Sequence, residues 1–147
     1  MKKFVFSMQK LMDFKNQILK KEKNTLADFR KNLAELIEQR NSLVFLRKEK
    51  NKELIDRINE GLSPQHIAFH KNYIHSLTDR IKEIDNRIIL AERKIKTQLD
   101  VVIEVTKEVD SLEKLQKKQF EEYKKLETKE NELFIEEFVS HKSYAEA

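Results

Sequence analysis

A chain of 147 residues has room for one domain, yet 38% of this one is charged and 8% aromatic, with no Cys, no Trp, one Gly and one Pro. So few turn formers exclude a sheet fold and leave a few very long helices, with apolar material for a narrow seam and not for a deep core. The net charge of +4 comes from 30 basic and 26 acidic residues mixed along the chain, a balance that suits a soluble rod and offers nucleic acid no sustained basic face.

The opening Met1-Lys2-Lys3-Phe4-Val5-Phe6 has the look of a secretory n-region, but Gln9, Lys10 and Asp13 interrupt the apolar stretch before a signal core is complete. No run approaches the roughly 20 apolar residues of a membrane span, so no direct membrane insertion is expected. The lack of cysteine leans toward a reducing, cytoplasmic compartment.

The first predicted helix covers about 4–60. Phe4, Met8, Leu11, Ile18, Leu26, Phe29, Leu33, Leu36, Val44, Ile55, Ile58 and Leu62 share a stripe with a mean spacing of about 3.6, that of a straight helix. Lys15, Glu22, Arg40, Arg47 and Asn51 interrupt it. Within Leu43-Val44-Phe45-Leu46, four consecutive apolar residues cannot share one face, and Phe45 is expected to point away from the partner helix.

The only Gly and Pro fall together, in Gly61-Leu62-Ser63-Pro64. Gly61 suits the left-handed position that ends a helix, Ser63 the N-cap of the next, and Pro64 its first turn. That order predicts a reversal over 61–63.

The second predicted helix covers about 64–138 and carries a strict heptad. Its a positions are Ile67, Ile74, Ile81, Ile88, Ile95, Val102, Val109, Gln116 and Tyr123. Its d positions are His70, Leu77, Ile84, Ala91, Gln98, Val105, Leu112, Gln119, Leu126 and Leu133. Such a pattern argues a left-handed supercoil, and neither arm is stable as a lone helix. The predicted fold is therefore all-α, two long helices forming an antiparallel coiled-coil hairpin in one domain, residue i facing a residue near 124 − i. Gln116 and Gln119 read either as a polar layer that fixes register or as a weak layer where the paired rod loosens into the single-helix tail. The second arm is the longer, so an overhanging tail with Leu126, Leu133, Phe134, Ile135, Phe138 and Val139 is left without an internal cover, which implies a partner.

Chemistry finds no place in this pattern. His66 and His70 have the i, i+4 spacing of zinc ligands, but no third ligand shares their face, so no metal is expected. The pairs Glu121-Glu122 and Glu136-Glu137 lie on a hairpin with no concave pocket to shift a pKa. No glycine remains for a phosphate loop. No catalytic or cofactor-binding residue is assigned, and the chain is not expected to be an enzyme. Basic clusters such as Lys20-Lys21-Lys23 sit beside acidic residues, as on most coiled-coil flanks. Phe45 on the first arm, with Phe69 and Tyr73 flanking the second, makes a candidate docking patch nearer the turn.

Several segments resemble one family. Phe4-Val5-Phe6-Ser7-Met8-Gln9-Lys10-Leu11-Met12-Asp13 is similar to the opening of FliJ-family flagellar type III export proteins. Gly61-Leu62-Ser63-Pro64 with Tyr73-Ile74-His75-Ser76-Leu77 resembles the family's turn and second-helix start, and Val109-Asp110-Ser111-Leu112-Glu113-Lys114-Leu115 its C-terminal half. The resemblance implies a cytoplasmic two-helix protein like the stalk subunit of rotary ATPases, peripheral at the inner-membrane export apparatus. Its implied partners are a hexameric export ATPase, the cytoplasmic domain of the export-gate membrane protein, and export substrates or their chaperones. By position, Phe4, Phe6, Met8 and Leu11 with Leu133, Phe134 and Phe138 of the tail would approach the ATPase ring. Tyr73 and Leu77, joined by Phe45 and Phe69, would meet the gate. A monomer is expected. The rival readings are an injectisome stalk of the same architecture and a parallel homodimeric scaffold.

Overall fold

The computed structural model describes residues 2–146. Two helices, α1 (Gln9–Glu60) and α2 (Pro64–Glu146), form an antiparallel hairpin, with no strand among the described residues. The chain divides into two compact units, each containing a length of both helices: Met1–Lys21 with Val102–Ala147, and Glu22–Val101.

The reversal follows its cap residues. Gly61 has φ +97°, and its N–H donates to the Ile58 carbonyl at 3.1 Å. The Ser63 carbonyl accepts the first α2 bond from the Ile67 N–H at 3.0 Å, while its hydroxyl lies 3.4 Å from the His66 N–H. Pro64 occupies the first helical position, where no donor is missed.

On α2, every a and d position from Ile67 to Tyr123 is buried or half-buried, whereas Leu126 and Leu133 are exposed. The seam therefore ends at Tyr123. α1 differs from the straight-helix stripe expected of it. Its covered positions are Met12, Leu19, Leu26, Leu33, Arg40, Arg47 and Leu54, interleaved with Lys15, Glu22, Phe29, Leu36, Leu43 and Lys50. Both series repeat every seven residues, so α1 too follows a heptad. Met8, Leu11, Ile55 and Ile58 of the expected stripe are exposed, and Met12 and Leu54 are buried in their place.

The charged seam residues of α1 are half-buried, none fully, and are held at the edges of the seam. In the unit around the turn, Arg40 bonds the Asp85 carboxylate, and the Arg47 guanidinium donates to the Thr78 hydroxyl at 3.3 Å. The Gln98 amide donates to the Glu22 carbonyl at 3.0 Å. In the other unit, Lys15 pairs with Glu108 at 2.5 Å, and the Gln116 amide donates to Gln9 at 3.2 Å. All these pairs lie close to the 124 − i register. Gln116 meets another glutamine as a register layer requires.

Both helix ends depart from the sequence expectation. α1 begins at Gln9 and not near Phe4, because in a helix Phe4 and Phe6 would point to opposite sides. The Phe6 carbonyl instead accepts from the Gln9 N–H at 3.1 Å, closing a turn ahead of α1. Without helical twist, the preceding residues turn both phenylalanines inward and Val5 outward. α2 continues past 138 to Glu146, since no Gly or Pro follows to stop it.

Candidate docking surfaces

The first surface belongs to the unit built from the N-terminal residues and the C-terminal half of α2. The Phe4 ring lies 5.3 Å from that of Phe120 and 5.5 Å from that of Tyr123, the first of these edge-to-face. The Tyr123 hydroxyl donates to the Lys2 carbonyl at 2.6 Å. Residues 2–8 thus form a strap pinned across the last turns of the seam. Burial, followed by the Glu127 and Glu130 carboxylates, raises the Tyr123 pKa above the ordinary phenol value. Beyond Tyr123, Leu126, Leu133, Phe134, Ile135, Phe138 and Val139 are each more than half exposed.

Because the folded state prefers the neutral Tyr123 phenol, its contribution is complete below the unfolded value near 10.0. It is lost as pH rises through the higher folded value, where the donor to Lys2 disappears. Tyr123→Phe removes that donor at any pH. Tryptic cleavage after Lys3 should accelerate severalfold in the variant at neutral pH. An unchanged cleavage rate would show that the hydroxyl does not pin the strap.

The positions carried over for the ATPase ring separate accordingly. Phe6 is 4% exposed and is a core residue in this arrangement. Phe4 is half-buried, and Met8 and Leu11 are exposed on the solvent side of α1's start. Leu133, Phe134 and Phe138 lie free on the tail. The strap's anchors, Phe120 and Tyr123, went unnoticed as a pair in the sequence. An aromatic i, i+3 pair opposite Phe4 was the available signal.

The second surface lies in the unit around the turn. Phe45 and Phe69 are 65% and 69% exposed, and Tyr73 is also exposed. Phe45 points outward as its place in the apolar run requires, beside an open groove lined by Ala34, Ile37 and Asn41. Leu77 is 0% exposed. It is a d position on the seam side of α2, beneath the surface that would meet a partner.

The histidines are occupied locally. His66 Nδ1 lies 2.6 Å from the Ser63 hydroxyl, and the Arg57 guanidinium donates to His70 Nε2 at 3.4 Å. No group of three or more potential metal ligands occurs among the described residues. Glu53, bonded by Lys50 and flanked by Arg57, is held below the usual carboxylate range, an ion-pair network on an exposed helix face. Among the described residues no helix is long and apolar enough to cross a membrane.

These features define a self-paired helical hairpin with apolar residues displayed on both units. The family model for the flagellar FliJ protein matches residues 4–147, and the chain belongs to the FliJ family. It is therefore a protein related to flagellar export, from a non-catalytic family that interacts with components of the export apparatus. No curated protein and no solved structure matches the chain.

Proposed function

We propose that this protein is a non-enzymatic stalk and export chaperone of the flagellar type III apparatus, coupling the hexameric export ATPase to the export gate. It would work in the cytoplasm, at the inner face of the membrane. The single observation that carries the reading is the tail of α2, apolar and uncovered beyond Tyr123 in a member of this family. An exposed apolar face of this kind is retained where a partner covers it. In this reading Met8, Leu11 and the tail meet the ATPase ring, with Phe4 and Phe6 holding the strap behind them. Phe45, Phe69 and Tyr73 meet the cytoplasmic domain of the gate, with Leu77 as their support. Hydrolysis belongs to the ring; this chain supplies stiffness and contact. Export substrates or their chaperones are further partners of the same exposed residues.

The test is co-purification with the export ATPase. A chain ending at Tyr123 keeps its whole seam and should remain a folded hairpin by circular dichroism. Its recovery of the ATPase should fall at least about tenfold, the scale expected when buried apolar anchors are lost. Removing residues 2–8 as well should abolish recovery. Full binding by the chain that lacks both segments would place the contact elsewhere.

A further inference from the structure

The tail is not a continuation of the seam. Along α2 the seam line passes through Tyr123, Leu126 and Leu133, but the a positions that would complete it are Glu130 and Glu137. The strongest apolar group lies on another side. Phe134, Ile135, Phe138 and Val139 stand at i, i+1, i+4 and i+5, and at about 100° per residue their common direction is roughly 130° from the seam line. All four are more than half exposed. A second α1-like helix extending the coiled coil would leave this quartet in water.

Charge indicates what covers it. From Glu127 to Lys142 the helix carries five glutamates against two lysines, Lys129 and, on the quartet's own face beyond Val139, Lys142, in a chain whose net charge is positive. Glu132 and Glu136 flank the quartet on one side and Glu137 lies on the other. A second copy of the tail, or an anionic bilayer, would bring negative charge against these carboxylates. Elsewhere on α2 carboxylates beside the seam receive cations from the surface that covers them, as Glu108 receives Lys15 and Asp85 receives Arg40.

We infer that Phe134, Ile135, Phe138 and Val139 form a docking knob, separate from the coiled-coil seam, for a protein surface that is apolar at its centre and rimmed by Lys and Arg. This deepens the stalk reading, from which it takes only that the tail meets a protein.

Two synthetic amphipathic helices of matched length serve as probes, one of Leu and Lys and the other of Leu and Glu, titrated against the full chain by fluorescence anisotropy. The Leu/Lys helix should bind at least about tenfold more tightly than the Leu/Glu helix. Phe134→Ser with Phe138→Ser should weaken it about tenfold or more, while Ile89→Ser with Leu90→Ser, exposed apolar positions of the other unit, leaves it within about twofold, as for positions outside the contact. Glu132→Lys, Glu136→Lys and Glu137→Lys together should reverse the preference. Equal binding of both helices, or an equal loss from the Ile89 and Leu90 substitutions, overturns the inference. The export ATPase is then titrated against the same variants. If the ATPase ignores the full chain while the peptide pattern holds, the stalk reading falls and the knob stands. If the ATPase binds and all variants bind alike, the knob falls and the stalk reading stands.

Discussion

Leu77→Ala is expected to lower the stability of the hairpin by about 3 kcal/mol, within the range for a leucine emptied from a closed core site. Leu77 is the one large side chain in the described residues with essentially no exposure. It sits at a d position with the buried Ile81 one turn away. A two-helix seam has little material with which to refill the space. Phe45→Ala, on the outer face of the same unit, removes a larger side chain yet should change stability by less than about 0.5 kcal/mol. Chemical denaturation of both variants decides the matter. Equal losses would mean that Leu77 is not enclosed. The comparison also bears on function, since a gate-binding defect in Leu77→Ala would follow from a loosened hairpin, whereas one in Phe45→Ala would report the contact itself.

Arg40→Leu combined with Arg47→Leu should act in the opposite direction. Both arginines occupy heptad seam positions, where their stems pack while their head groups reach Asp85 and Thr78 at the edge. Replacing charged seam groups by leucine is commonly neutral or stabilising. Asp85 is about two-fifths exposed and stays hydrated when its partner goes. A gain of about 1 kcal/mol is expected, the low end for such replacements. The second consequence is a loss of specificity. A seam made continuously apolar accepts other registers and second copies, because polar residues at core positions select register and partner number. Sedimentation should therefore show a larger share of dimer than the parent chain at the same concentration. A variant that stays monomeric and loses more than about 1 kcal/mol would mean that the edge contacts themselves hold the hairpin together.

These arginines also explain what was legible in the sequence. α2 announced itself because its a positions from Ile67 to Val109 are all Ile or Val, and the observed burial follows them residue by residue. α1 has the same repeat, but Lys15, Glu22, Arg40, Arg47 and Lys50 stand on it. A reading that sought apolar residues drifted to Leu11, Ile55 and Ile58, one or more positions off the seam. Half-buried cations with edge partners are invisible to hydropathy, since the partner lies in the other arm. The reversal was plain from Gly61, Ser63 and Pro64, whose conformations are narrowly restricted. The strap was hidden because alternation over Phe4, Val5 and Phe6 is too short to distinguish an extended segment from a helical start.

The docking residues are less legible than the fold, because periodicity marks what the seam covers and not what a partner covers. Leu77 received a contact role from family resemblance although its d position already assigned it to the seam. The tail, by contrast, was legible from the unequal lengths of the two arms: Lys2 lies against Tyr123, and among the described residues Leu133 and Phe138 are exposed. The rotation of the distal quartet needed helical geometry applied beyond the last seam residue, where the heptad no longer describes the apolar pattern.

The claim on which the account depends is that α2 is covered by its own chain as far as Tyr123 and by nothing beyond. Amide hydrogen exchange of the purified protein at low concentration measures this directly. Protection should be high and cooperative through Gln9–Glu60 and from Pro64 to about Tyr123, then fall steeply over residues 126–146, where a single uncovered helix is only marginally stable. Slow exchange continuing unchanged to the end of α2, or fast exchange throughout α1, would contradict it.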